Sequence, residues 1–91
     1  MEHALWYLFV GTRGGGTRVE IVRALSDHPK NANQLAEELE YSYNTVRYHL
    51  DLLADHDVVT EGDQGYGTLY FLTDRFEHHR DRFEQITDEV T

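Results

Sequence analysis

Two helix starts lie so close together in this chain that the stretch between them can only be a tight turn. Asn31 is followed three residues on by Gln34, the reciprocal pattern that closes the first turn of a helix, and Leu35, Ala36 and Leu39 supply one apolar stripe. Glu40-Tyr41-Ser42 interrupts the pattern for three residues. Ser42 then offers a hydroxyl to a second N-terminus, and Val46, Leu50 and Leu53 recur at i, i+4 and i+7. The spacing predicts helices over 32–39 and 43–54 joined by a three-residue turn, the arithmetic of a helix-turn-helix.

The flanks add a helix before this pair and a hairpin after it. Past the Gly14-Gly15-Gly16 breaker, Thr17 is placed to cap a helix carrying Val19, Val22 and Leu25, with Ile21 and Ala24 beside them. It should stop near Asp27, because Pro29 drives His28 out of the helical region. Val58-Val59-Thr60 and Thr68 to Leu72 are β-rich runs around a polar, Gly-rich Glu61 to Gly67 stretch, which predicts a hairpin. From Asp74 to Val90 the apolar positions Phe76, Phe83, Ile86 and Val90 predict one last helix with a packing seam. The run Ala4 to Val10 fits a helix or an edge strand equally well.

The run Thr45-Val46-Arg47-Tyr48-His49-Leu50-Asp51-Leu52-Leu53, preceded by Asn33 to Leu39 and followed by Asp57-Val58-Val59, resembles the winged helix-turn-helix core of arsenic-repressor-like (ArsR-like) transcriptional regulators. The Gly11 to Arg18 lead-in is similar to small regulators of halophilic archaea. The resemblance implies an α+β fold with a three-helix core, a β-hairpin wing and a C-terminal helix. It implies one domain over 1–91: an apolar N-terminal segment and Gly-rich loop (1–15), the winged core (16–72) and a C-terminal dimerisation helix (74–90). One residue departs from the pattern. Family members usually carry Gly where this chain has Glu40, at a left-handed helix end that costs a side chain about 1 kcal/mol.

A net charge of −9 argues against phosphate polyanions unless the cations are gathered in one place. The partition supplies that place: residues 1–10 carry −1, residues 11–50 are neutral, and residues 51–91 carry −8. Of the eight cations only Lys30 is lysine, an acidic, lysine-poor balance that resembles proteins of salt-accumulating halophiles.

On the helix over 43–54, Tyr43, Asn44, Arg47, Tyr48 and Asp51 form the stripe opposite the core side. Asn44 and Arg47 are the side chains able to make bidentate contacts to adenine and guanine in the major groove. Ser42 and Thr45 suit phosphate anchoring at the helix N-terminus, and Tyr43 and Tyr48 suit packing on sugar or a thymine methyl. Asp51 opposes phosphate and is expected either to sit past the groove edge or to pair with Arg47. The wing tip offers only Gln64 and Tyr66. Arg13 and Arg18 flank the triple glycine, placed either for the DNA backbone or for pairing with the acidic C-terminal half.

Other chemistries lack their residues. With no cysteine there is no thiolate metal site and no Cys nucleophile, and the carboxylates are spread without a catalytic constellation, so no enzyme is expected. Gly11 to Gly16 runs into Thr17 without the lysine of a phosphate-binding loop, which excludes a nucleotide cofactor. His78 and His79 are adjacent and point about 100° apart on a helix, poor geometry for one metal ion within a chain. The seven-residue apolar run is far short of the roughly 20 residues a membrane span needs, and the protein is expected in the cytoplasm.

Trp6 and Leu8 before the core, and Phe76, Phe83, Ile86 and Val90 after it, are expected to pair two copies, setting two recognition helices about 34 Å apart. The reading is a homodimeric repressor of double-stranded DNA without cofactor or metal. A winged-helix protein-interaction module and a metal-responsive repressor are the alternatives.

Overall fold

In the computed structural model, which describes residues 1–63 and 67–90, the N-terminal apolar run is helical. α1 (Glu2–Trp6) continues into a π-helical turn, Tyr7–Gly11, which buries Leu8 and Phe9 just as α1 buries Leu5, so the three share one face at i, i+3 and i+4. The turn stops at Thr12, whose extended backbone leaves the helix and whose hydroxyl donates to the Tyr7 carbonyl at 2.6 Å.

α2 (Gly15–Asp27) begins two residues before the expected Thr17 cap. The N-cap is Gly14, held at φ 90°, and the helix start runs against the π-helical turn so closely that a Cβ on Gly15 would lie 2.5 Å from the Phe9 carbonyl oxygen. The triple glycine, expected as a breaker, therefore opens α2, and the helix before it has already ended at Thr12. The other end falls at Asp27, as Pro29 requires.

α3 (Ala32–Leu39) carries the complete capping box, with Gln34 N–H on Asn31 Oδ1 and Asn31 N–H on Gln34 Oε1, both at 2.8 Å. It ends at Glu40, which occupies the left-handed region at φ 61°. Ser42 Oγ accepts from the Thr45 amide at 3.1 Å to start α4 (Tyr43–Asp55). The wing is the antiparallel pair β1 (Val59–Asp63) and β2 (Thr68–Leu72), in register Val59 to Leu72 and Glu61 to Tyr70. Lys30 extends it as a single bridge, its carbonyl accepting from the Tyr70 amide at 2.9 Å. That bond ties the loop before α3 to the wing.

The last segment is two helices where one was expected. α5 (Asp74–Glu77), capped by Thr73, is separated from α6 (Arg80–Val90) by a turn at His78-His79. The Phe76 and Phe83 rings meet edge-on on either side of this break, 5.3 Å between centroids.

One core joins these elements: Leu5, Leu8, Ile21, Val22, Leu35, Val46, Leu50, Leu53, Val58, Phe76, Phe83 and Ile86 are all fully buried. This corrects the expected dimer surface. Leu8, Phe76, Phe83 and Ile86 are closed within a single chain, because the terminal segments cover one another: Phe9 meets Phe83 edge-on at 4.9 Å. Each such side chain gains about 1.5–3 kcal/mol on burial without any partner. Trp6 stays 36% exposed, and the Val90 side chain lies outside the described residues. Among the described residues no helix is long and apolar enough to cross a membrane.

Candidate nucleic-acid interface

The buried side of α4 is Val46, His49, Leu50 and Leu53, packed with α2, α3 and the wing. That side fixes which residues stand out. Ser42, Tyr43, Asn44 and Tyr48 are exposed, Tyr43 by 44% and Tyr48 by 63%, while Thr45 and Arg47 are half-buried. Ser42 and Thr45 spend their hydroxyls on one another at 2.9 Å, in addition to the cap.

Arg47 lies along the helix surface. Its Nη1 donates to the Tyr43 hydroxyl at 3.3 Å and its Nη2 reaches Asp51 Oδ1 at 3.5 Å, the expected i, i+4 pair. The same side chain walls a cavity of about 200 Å³ whose other sides come from α3 (Asn31, Ala32, Asn33) and β2 (Thr68, Tyr70). Burial pushes the Tyr70 hydroxyl pKa up, and that hydroxyl donates to Glu61 at 3.3 Å. Asn31, Asn33 and Tyr70 carry no sequence signal for this role, because tertiary packing alone brings them to Arg47.

Arg18 is the largest correction among the candidate contacts. It is 1% exposed, inside the protein, and so unavailable to DNA or to the acidic C-terminal half. Its Nε donates to the Leu8 carbonyl at 2.6 Å, its Nη2 to Thr12 Oγ1 at 2.6 Å and to the Arg13 carbonyl at 3.1 Å, and its Nη1 to His49 Nδ1 at 3.0 Å. A signal was present: Arg18 precedes Ile21, Val22 and Leu25 by three, four and seven residues, on the apolar stripe of α2. Burial, and secondarily the Arg18 charge, hold the His49 imidazole below the usual histidine range. His49 is thus a hydrogen-bonded packing residue, as its position beside the apolar face suggests.

Arg13 is exposed and, among the described residues, is the one cation whose side chain has no hydrogen bond, ion pair or aromatic contact. Its loop lies against α4, since a Cβ on Gly14 would come within 2.7 Å of His49 Cε1. The remaining surface arginines are engaged: Arg23 with Glu84, Arg75 with Asp57, Arg80 with Glu77 and Glu84, and Arg82 with Glu2. The single lysine is 4% exposed and its Nζ donates to the Ala24 carbonyl at 2.7 Å, serving the C-terminus of α2. Gln64 and Tyr66, the expected wing contacts, lie outside the described residues. Among the described residues no three His, Cys, Asp or Glu side chains converge as a metal site would require.

The turn between α3 and α4 and the flanking helix decide the family. A family described as "Helix-turn-helix domain" matches residues 16–62, more than half of the chain. The chain belongs to this helix-turn-helix family. Its matched part begins inside α2 and ends in β1, so it contains the whole of α3, the turn and α4. Among solved structures the protein is similar to the adhesin competence repressor (AdcR) from Streptococcus pyogenes, with a TM-score of 0.61 and 20% identity. The match covers 81% of this chain and 61% of the repressor, so this helix-turn-helix protein spans less than two thirds of that chain's length. No curated protein matches the sequence. With α3 and α4 beside a hairpin wing, the fold is a winged helix-turn-helix of the α+β class.

Proposed function

We propose that the protein is a sequence-specific transcriptional regulator that binds double-stranded DNA as a homodimer, with α4 in the major groove. The observation that carries this reading is the exposed row Tyr43, Asn44 and Tyr48 on the first half of a helix whose other side is wholly core. Asn44 is assigned to a base edge, as adenine suits a carboxamide. Arg13, without a side-chain partner among the described residues and on the loop beside α4, is assigned to the backbone.

A repressor role is supported by the fold shared with the adhesin competence repressor, and pairing of two chains by the exposed Trp6 and Tyr7 on the N-terminal helix. The arsenic-repressor-like resemblance agrees with both. Work in a salty cytoplasm is supported by a surface on which, among the described residues, every cationic side chain is an arginine and the one lysine is buried.

Selection from a random duplex pool in molar potassium chloride tests the reading. Enrichment of a pseudo-palindrome with half-sites about 34 Å apart, by a species with twice the chain mass, is expected. A pool that stays random, or a monomer bound to one half-site, overturns the corresponding part.

One observation favours a protein-interaction module instead: apart from Arg13, the described cations are either buried or paired with carboxylates. Chemical-shift mapping with the pool DNA separates the two. Changes over residues 42–48 support the regulator, and silence there supports the module.

A further inference from the structure

Arg47 is not extended as a guanine-reading arginine must be. Such a side chain presents two guanidinium nitrogens edge-on to O6 and N7. Here Tyr43 one turn back and Asp51 one turn on draw the guanidinium lengthwise along α4, at 3.3 and 3.5 Å. Its Nε is buried without a hydrogen-bond partner among the described residues. The cavity it walls carries donors from three elements, the Arg47 guanidinium and Tyr43 hydroxyl of α4, the Asn33 carboxamide of α3 and the Thr68 hydroxyl of β2, while the Tyr70 hydroxyl gives its proton to Glu61. Among the described residues that line it there is no carboxylate. The capping box engages Asn31 and Gln34 but leaves the amides of Ala32 and Asn33, on the same wall, without an acceptor in it.

We infer that this cavity between α3, α4 and the wing seats one backbone phosphodiester of the bound duplex, and that Arg47 is its ligand rather than a base reader. A phosphodiester presents acceptor oxygens in several directions, which suits donors arriving from three elements, whereas a base edge presents them in one plane. The inference rests on the DNA-binding reading and refines it. Base discrimination falls to Asn44 and Tyr48, and Arg47 sets the depth and angle at which α4 meets the groove. Tyr43, by holding the guanidinium over the cavity, is a positioning residue.

The test crosses Arg47→Gln with duplexes selected by the parent protein in which single phosphodiesters are replaced by uncharged methylphosphonates. At one position per half-site the replacement should weaken the parent about tenfold and leave Arg47→Gln unchanged. Across single-base variants of the duplex, Arg47→Gln should bind weaker by one common factor, with a salt slope lowered by about one. Arg47→Lys, which keeps a point charge for phosphate but not the planar fork that guanine requires, should recover binding to within a few-fold of the parent.

Losses that add at every phosphate overturn the inference, as does discrimination lost at one base pair or a lysine variant as weak as the glutamine one. In those cases the parent still selects its duplex and the DNA-binding reading stands. A parent that selects no duplex overturns the reading and the inference together. Inorganic phosphate, titrated without DNA while the Ala32 and Asn33 amides are followed by NMR, then tells a free-anion pocket from no anion site.

Discussion

Arg18 Nη1 lies 3.0 Å from His49 Nδ1, and since a guanidinium only donates, that imidazole nitrogen accepts. One buried cation thereby ties α4 to the π-helical turn through Leu8 and to the glycine loop through Thr12 and Arg13, and all four acceptors are neutral. Arg18→Ala would leave a void and strand those buried acceptors, for an expected loss of about 3 kcal/mol in urea unfolding. Arg18→Lys, with one ammonium for acceptors spread over three segments, should recover only part of it.

The same contact sets a pH dependence. Burial first, and the Arg18 charge second, hold the folded-state pKa of His49 below the ordinary histidine value of about 6.5. The unfolded chain therefore binds a proton near pH 6.5 that the folded chain refuses until lower pH. This contribution is complete above the unfolded pKa and is lost as pH falls through the window beneath it. His49→Gln keeps an acceptor for Arg18 and removes the titration. Its melting temperature should fall less than the parent's between about pH 7 and 5, and parallel curves would show that His49 carries none of the acid sensitivity.

Two of the three consecutive glycines should respond oppositely to alanine. A Cβ at Gly15 would meet the Phe9 carbonyl oxygen at 2.5 Å, a backbone atom that moves only if the π-helical turn moves. At Gly16 it would meet nothing within 4 Å, and the residue lies in the first turn of α2. Gly16→Ala is expected to stabilise by about 0.4–1 kcal/mol through helix propensity and the unfolded chain. Gly15→Ala is expected to destabilise by more than that. Denaturation of the two variants side by side checks the contrast.

Glu40 was readable as an anomaly before the fold was in hand, and it does sit at φ 61°. Its side chain has no hydrogen bond or ion pair among the described residues, so Glu40→Gly removes strain and little else. A gain of about 1 kcal/mol is expected, measured as a shift of the urea midpoint at constant slope.

What local pattern could reach, the sequence carried. Asn31, Gln34 and Ser42 announce their helices by their own side chains, and the Val46, Leu50 and Leu53 spacing alone predicts that Tyr43, Asn44 and Tyr48 face outward. The start of α2 is not legible in the sequence because a glycine N-cap has no side-chain signature, whereas Thr17 has the better capping chemistry. The terminal aromatics look unpartnered in the sequence because the side chains that cover them are remote along it, as Phe9 and Phe83 are. For Arg18 the position on the apolar stripe of α2 outweighs the charge, and the side chain is buried. The Arg47 cavity needed α3, α4 and the wing in place, and no window of sequence contains all three.

Arg13 and Asn44 should separate the two ways this surface can hold a duplex. Arg13 is exposed on the loop that lies against His49, and with no carboxylate partner among the described residues its charge is available. A phosphate contact carries no base information, so Arg13→Ala should weaken every duplex in a single-base series alike and reduce the salt slope by about one. Asn44 stands exposed in the first turn of α4 beside the Ser42 cap, where a major-groove helix brings its side chains to base edges. Asn44→Ala should cost about 1–3 kcal/mol on the preferred duplex, lose discrimination at one base pair and leave the salt slope unchanged. The salt slope is the deciding measurement, because in molar salt counterion release contributes little to affinity while hydrogen bonds to base edges remain. Equal slopes with a base-specific loss at Arg13 would exchange the two roles, and no loss at either would remove the exposed row of α4 from DNA contact.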